Sequence, residues 1–183
     1  MRVLVVNTGS SSLKLRVLDG DRVEADCELD RWEGEDDLDA FGAFVGGIDP
    51  VDAVGHRVVH GGADLVEPEV VSPDVEARIL ALTSLAPLHQ PRAVAGMRAV
   101  ARLLPRVAQV ACFDTSFHTT MPPAAATYAV PAAWRERFGL RRFGFHGLSH
   151  AWAVRRAPEI VRAGRRRDRV VSCHLGAGAS LCA

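Results

Sequence analysis

Hydrophobic residues along this chain change their spacing several times, and each change marks an element. Residues 3–6 are a continuous apolar run of the length of a buried strand. Asn7-Thr8-Gly9-Ser10-Ser11-Ser12 interrupts it with small polar residues, and Leu13, Leu15 and Val17 then alternate with Lys14 and Arg16, the two-residue period of a second strand. Asp19-Gly20-Asp21 is a turn signal and residues 23–29 read as a third strand, so the opening predicts an antiparallel meander. Beyond it the period lengthens. Residues 36–45 predict a helix, and residues 53–59 a strand running into His60-Gly61-Gly62. Ser72-Pro73 supplies an N-cap and a first-turn proline, followed by an apolar stripe of Val75, Ile79 and Leu82. A loop over 85–91 leads to a helix opened by Pro91, with Val94, Met97, Val100, Ala101 and Leu104 facing inward. Residues 107–113 predict a buried strand ending at Asp114; 141–150 a glycine-broken loop; 151–163 a helix disturbed by Pro158; and 169–173 a further strand. Three strands followed by alternating helix and strand imply an α/β fold.

The opening recurs. Arg2-Val3-Leu4-Val5-Val6-Asn7-Thr8-Gly9 matches Arg169-Val170-Val171-Ser172-Cys173-His174-Leu175-Gly176 at a constant offset of 167 residues, Arg2 to Arg169. Small residues follow in both, Ser10-Ser11-Ser12 in one and Ala177-Gly178-Ala179-Ser180 in the other. Two such strand–loop openings predict two similar domains. The division expected is 1–140 for the first and 141–183 for the beginning of the second, a truncated or partly represented domain.

Composition narrows the possibilities further. Acidic and basic residues number 22 each, so net charge points to neither a nucleic-acid nor a membrane partner. The acidic stretch 19–39 and the basic stretch 155–169 read as solvated surface. Lys14 is the single lysine among the basic residues, which invites a chemical reason for keeping a compact ammonium there. Four cysteines at 27, 112, 173 and 182 have neither zinc nor redox spacing and read as reduced and buried. The apolar run after Met1-Arg2 is too short for a signal peptide, and no uncharged run reaches the ~20 residues of a membrane span. A cytoplasmic protein is expected.

The residues with chemical potential gather in a few short stretches. Asn7 to Lys14 offers small residues that let backbone N–H groups approach a phosphate, side-chain donors at Asn7, Ser10 and Ser12, and a point charge at Lys14. This is not a Walker A loop, since the pattern after Gly9 is that of a strand. Taken alone it is also what an ordinary hairpin turn looks like. The remaining stretches are Gly55-His56-Arg57-Val58-Val59-His60-Gly61-Gly62, Leu85-Ala86-Pro87-Leu88-His89-Gln90-Pro91, Phe113-Asp114-Thr115-Ser116-Phe117-His118, Phe143-Gly144-Phe145-His146-Gly147-Leu148-Ser149-His150 and His174-Leu175-Gly176-Ala177-Gly178. Together, in this order, they closely resemble the acetate and related acyl kinase family, within the actin and hexokinase-like superfamily.

The resemblance implies a ribonuclease H-like α/β fold with a mixed sheet, and reversible Mg²⁺-dependent transfer of a phosphoryl group from ATP to acetate, giving acetyl phosphate and ADP. It also implies roles. Asn7 would help hold Mg²⁺; Ser10, Ser12 and Lys14 would contact phosphate. Arg57 would anchor the acetate carboxylate through its two-pronged guanidinium. Val59, Leu88 and Phe145 would line a small methyl pocket, with His89 supporting it. Asp114 matches the family's catalytic acid, and His146 would bond the phosphoryl group in transit. His174, Leu175, Gly176, Ala177 and Gly178 would hold the far phosphates of ATP. Acetate is already ionised at neutral pH, so the obstacle is bringing two anions together; Asp114 is therefore expected to place the metal and its waters rather than to take a proton. A homodimer is implied for full-length members.

Some features depart from the family pattern. Ala177 and Ala179 stand where the family commonly has Asn and Ser, and the stretch before Val54 is short. Propionate or butyrate kinase is the near alternative, and a truncated, non-catalytic remnant the far one. Pairs four apart, His56 with His60 and His146 with His150, suggest zinc only superficially: the first lies on a strand and the second lacks a zinc-protease glutamate. His118 and His150 read as loop hydrogen-bonders, and Trp32, Trp134 and Trp152 as packing residues.

Overall fold

A computed structural model describes residues 1–10, 12–161, 169–176 and 178–183. They form two compact units, Met1–Phe113 and Asp114–Ala183. The boundary near residue 140 expected from the repeat falls within the second of these units.

The first unit opens with β1 (Arg2–Thr8), β2 (Ser12–Asp19) and β3 (Arg22–Asp30), the antiparallel meander expected. After α1 (Asp39–Gly46) comes β4 (Ala53–Val58), which pairs parallel to β1. The short β5 (Glu69–Val70) precedes α2 (Pro73–Ala81) and α3 (Gln90–Leu103), and β6 (Ala108–Phe113) pairs parallel to β4 and antiparallel to β5. The resulting mixed sheet has the order β3-β2-β1-β4-β6-β5. Ser72 caps α2 as its sequence predicts, its hydroxyl accepting the Val75 N–H at 3.2 Å.

Strand alternation decides which face is core. Leu4, Val6 and Thr8, Leu13, Leu15 and Val17, Val54, His56 and Val58, and Ala111 and Phe113 are all buried. The apolar ones build two clusters, one completed by Trp32, Phe41, Ala99 and Val100, the other by Leu65, Val75, Ile79, Val94 and Met97. Ala101, expected inward, is exposed. In that last turn Leu103 does the packing, at van der Waals distance from where a side chain on Gly42 of α1 would stand.

The second unit holds the short helices α4 (Pro123–Ala126) and α5 (Ala132–Phe138), then α6 (Gly147–Ile160) and a hairpin of β7 (Ser172–Leu175) with β8 (Ala179–Cys182). Three expectations change here. The loop read over 141–150 stops at His146, and Gly147 to His150 are helical. Pro158 is accommodated inside α6, which ends at Ile160; residues 162–168, the end of the expected helix, lie outside the described residues. The strand expected over 169–173 begins at Ser172 rather than Arg169 and runs to Leu175.

Trp32 is buried and donates its indole N–H to the Asp37 carbonyl at 2.9 Å, but Trp134 and Trp152 are more than half exposed. Helix α5 buries none of its residues, and α6 buries only Gly147 and His150. All four cysteines are unpaired; Cys173 is exposed because the strand alternation that buries Ser172 turns its neighbour outward. No helix among the described residues is long and apolar enough to cross a membrane.

The buried His56 donates to the Gln109 side-chain carbonyl at 2.7 Å. Burial pushes its imidazole down to about 4, only partly offset by that bond. The unfolded chain takes up a proton at this residue near the ordinary value of about 6.5, whereas the folded chain does not until about 4. Its contribution to stability is therefore full above about pH 6.5 and is lost as the pH falls toward 4. Urea unfolding at about pH 7.5 and about pH 4.5 should show His56→Gln losing about 2 kcal/mol less than the parent chain on acidification. Equal losses would mean that His56 titrates normally.

Candidate functional site

The strand registers of the first unit assemble a row of side chains that the sequence leaves scattered. Asn7 pairs with Lys14 on β2 and with Arg57 on β4, and Lys14 pairs with Glu28 on β3. Since residues directly opposite one another share a face, Glu28, Lys14, Asn7 and Arg57 run side by side across four strands. Their neighbours Val6, Leu13, Leu15, His56 and Val58 point the other way, into the core. Arg57 Nη1 approaches Asn7 Oδ1 at 3.4 Å, and Lys14 Nζ lies 3.0 Å from Glu28 Oε1. The Lys14 ammonium holds the Glu28 carboxyl below its ordinary value. A groove of about 210 Å³ passes over the Glu28, Lys14 and Asn7 part of the row, bordered also by Val5, Arg16 and Asp26, and Arg57 is not part of its lining. A larger hollow of about 740 Å³ lies elsewhere, where four carboxylates, Glu33, Glu35, Asp36 and Asp37, outnumber the two arginines Arg31 and Arg98 and leave the lining net acidic.

The turn beside the row is tied down. Gly9 N–H donates to the Ser12 carbonyl at 2.8 Å, so that donor is spent within the turn rather than offered to a phosphate. Arg92 on α3 donates to the Gly9 carbonyl at 2.9 Å and to the Trp32 carbonyl at 2.7 Å. Ser10 is exposed, and Ser12 Oγ reaches Glu28 Oε1 at 3.4 Å; Ser11 lies outside the described residues. Val59 follows β4 directly and is half-buried, Leu88 is largely exposed, and His89 sits at the N-terminal end of α3. Buried Gln90 ties the loops around them, donating to the His60 carbonyl at 2.8 Å and the Ile79 carbonyl at 3.3 Å.

For magnesium, the row offers the neutral oxygen of Asn7. Among the described residues no group of three or more His, Cys, Asp or Glu is arranged to hold a metal. That donor set fits an ion that arrives with phosphate oxygens and keeps most of its water, as Mg²⁺ does, and does not fit a stripped ion in a protein cage.

In the second unit Asp114, the residue after β6, and Thr115 are buried. His146 adopts a left-handed backbone conformation, φ 55°, at the N-cap of α6. Its ring stacks on His174 with centroids 4.0 Å apart and planes 12° apart. His174 Nδ1 is 3.0 Å from Ser149 Oγ, and His118 Nε2 bonds the Phe145 carbonyl at 3.0 Å. The fully buried His150 bonds Ser172 and Ser180. Burial lowers its pKa first, and the neighbouring His118, His146 and His174 lower it further, against a raising effect of Asp114. His118 and His150 are thus hydrogen-bonders as expected, although His150 stands on a helix. Hairpin β7–β8 pairs Leu175 with Ala179, one residue tighter than the Thr8–Leu13 pairing of the first opening. Leu175, Gly176 and Gly178 are exposed on this hairpin, and Ala177 lies outside the described residues. Phe145 is exposed.

Asn7, Lys14 and Arg57 are thus gathered in the first unit, and Asp114, His146 and His174 belong to the second. The sequence gives no role to Glu28 or Arg92, and names Ser149, Ser172 and Ser180 only as members of longer stretches. Counting back from the Asp19–Arg22 turn predicts Cys27 opposite Lys14; an irregularity between Val17 and Leu18 shifts the register and brings Glu28 there instead.

Residues 43–183 match the profile of the family described as the Acetokinase family. An acetate kinase of Synechococcus sp. is 49% identical over 152 residues, covering 83% of this chain and 36% of that protein. An acetate kinase of Leifsonia xyli subsp. xyli is 42% identical over 212 residues, covering 99% of this chain and 53% of that protein. Among solved structures, a propionate kinase from Francisella tularensis superposes with a TM-score of 0.83 at 30% identity, over 98% of this chain and 53% of that one. Porphyromonas gingivalis acetate kinase gives 0.82 at 33% identity, over 98% and 54%. The chain spans about half the length or less of these relatives.

The glycines around His146 have a steric cause. Gly144 has φ +77° and faces the His118 ring, and a Cβ on Gly147 would overlap the Asp114 carbonyl oxygen. Gly147→Ala should lower stability by more than about 1 kcal/mol in thermal melts, because a main-chain oxygen must move. A melting temperature equal to that of the parent would show that α6 does not pack this closely on Asp114.

Proposed function

Because the chain belongs to the acetokinase family, we propose that it forms the part of a short-chain acyl kinase that grips acetate and the transferring phosphate of ATP. The observation that carries this reading is the transverse row of Lys14, Asn7 and Arg57. In the reaction a carboxylate oxygen of acetate attacks the terminal phosphorus of ATP while the bond from phosphorus to the ADP oxygen breaks. Acetyl phosphate and ADP result, and the step is reversible. No proton need be removed from acetate, so the protein's work is to neutralise and align two anions.

On this reading Arg57 holds the carboxylate with two parallel N–H donors. Lys14, Ser10 and Ser12 meet phosphate oxygens, with Lys14 exchanging its Glu28 partner for phosphate. Mg²⁺, when bound, neutralises phosphate charge, with Asn7 as a protein ligand and Asp114 orienting its waters. His146 bonds the phosphoryl group in transit, and His174, Leu175, Gly176 and Gly178, with Ala177 between them, take the far phosphates. Val59, Leu88 and Phe145, supported by His89, border the methyl group. A cytoplasmic setting and a homodimer of the whole protein belong to the same proposal; four unpaired cysteines suit a reducing compartment.

Propionate is the second reading, favoured by the likeness to a solved propionate kinase. One methylene is worth only about 1–3 kcal/mol in an apolar pocket, so the ratio of kcat/KM for the two acids decides between them.

The complete protein should form hydroxamate-trappable acyl phosphate from ATP, Mg²⁺ and acetate. Arg57→Lys should raise the acetate KM about tenfold or more while leaving the ATP KM nearly unchanged, since a point charge replaces a two-pronged donor. An unaltered acetate KM would remove Arg57 from the carboxylate site.

A further inference from the structure

Four of the chain's seven histidines lie in the second unit, and three of them are joined to serines at short distance. Ser180 Oγ stands between two rings, 2.9 Å from His146 Nδ1 and 2.8 Å from His150 Nε2. His150 Nδ1 in turn lies 2.9 Å from Ser172 Oγ. The four side chains therefore form a linear chain, Ser172–His150–Ser180–His146, with His150 fully buried in its middle.

Proton counting leaves little freedom. A serine hydroxyl has one proton to give and lone pairs to accept, and a neutral imidazole has one N–H and one lone pair. Ser180 can donate to only one of the two ring nitrogens, and accepts from the other or from both. If it accepts from both, its own proton leaves the chain and His146 Nε2 carries a lone pair. With neutral rings and the Ser180 proton kept within the chain, two arrangements remain. In the first, Ser172 donates to His150 Nδ1, His150 Nε2–H donates to Ser180, and Ser180 donates to His146 Nδ1, which leaves the His146 proton on Nε2. In the second every bond is reversed, and His146 Nε2 carries a lone pair.

Charge opposes a third arrangement, in which His146 is an imidazolium. Its ring sits at the N-terminal end of α6, where the helix dipole disfavours a cation, and it is stacked face to face on His174. An anionic oxygen at Nε2 accepts a hydrogen bond only in the first arrangement. We infer that Ser180 and His150 are positioning residues that fix the ring of His146 as its Nε2–H tautomer, so that it meets a phosphoryl oxygen as a neutral donor. This rests on the reading that His146 serves the phosphoryl group. It also gives a reason for the left-handed backbone at His146: that conformation, although sparsely populated by non-glycine residues, turns the ring onto Ser180.

The test is ¹⁵N–¹H long-range correlation of the imidazole rings in the ¹⁵N-labelled protein, with and without inorganic phosphate, for the parent, Ser180→Ala and Ser180→Thr. The parent with phosphate should show His146 as a single Nε2–H tautomer, Ser180→Ala a mixture of both tautomers, and Ser180→Thr the single tautomer again. In turnover, Ser180→Ala should lower kcat about tenfold with the acetate KM within about twofold, and Ser180→Thr should restore it. An Nδ1–H tautomer in the parent with phosphate, or an unchanged His146 tautomer in Ser180→Ala, overturns the inference whether or not the protein phosphorylates acetate. The tautomer pattern expected here, found in a protein that does not turn over acetate, would sustain the positioning chain and sink the kinase reading instead.

Discussion

Strand register is the constraint on which the row of polar side chains in the first unit depends. Asn7, Lys14 and Arg57 come from three different strands, and they stand together only because β1 pairs antiparallel with β2 and parallel with β4 at one particular alignment. Side chains alternate across a sheet, so a slip of one residue on β1 would turn Asn7 into the core and carry Thr8 to the solvent face. The burial of Leu4, Val6 and Thr8 forbids that slip. Core packing on one face thereby sets the chemistry on the other. Adjacent strands are about 4.8 Å apart, so two cations flank one carbonyl oxygen across a span of about 10 Å, a scale suited to a phosphate and a carboxylate.

The second unit reaches its geometry by close approach rather than by alternation. The Asp114 carbonyl occupies the space that a side chain on Gly147 would need, and the His118 ring faces Gly144. Between those glycines His146 is held in a conformation that costs energy for any residue with a Cβ. Such a backbone persists where its surroundings over-determine it, and here the serine–histidine chain and the stack on His174 supply that determination.

The fold was legible in the sequence where structure is local. The meander follows from the alternation of Leu13, Leu15 and Val17, and α2 from the cap at Ser72, because each signal spans only a few residues. Local signals also misled. Gly144 and Gly147 read as breakers of a loop, whereas Gly147 begins a helix and is needed for contact with Asp114. Trp134 and Trp152 read as packing residues because they belong to no motif, yet both are more than half exposed, on helices that bury almost nothing. Family motifs named Asn7, Lys14 and Arg57 separately, but their adjacency depends on a parallel pairing across fifty residues that no local pattern encodes. Glu28 was hidden by one irregularity in the β2–β3 ladder, and Ser180 by its distance in sequence from His146.

Lys14 provides the most direct measurement, since it is the chain's only lysine and its ammonium gives one side-chain signal. With ¹³Cε,¹⁵Nζ-labelled lysine, titration of the protein with ATP and Mg²⁺ should move that signal saturably as phosphate oxygens displace the Glu28 carboxylate. A Lys14 signal that stays fixed while nucleotide binding saturates would contradict the claim that this row of strands holds the transferring phosphate.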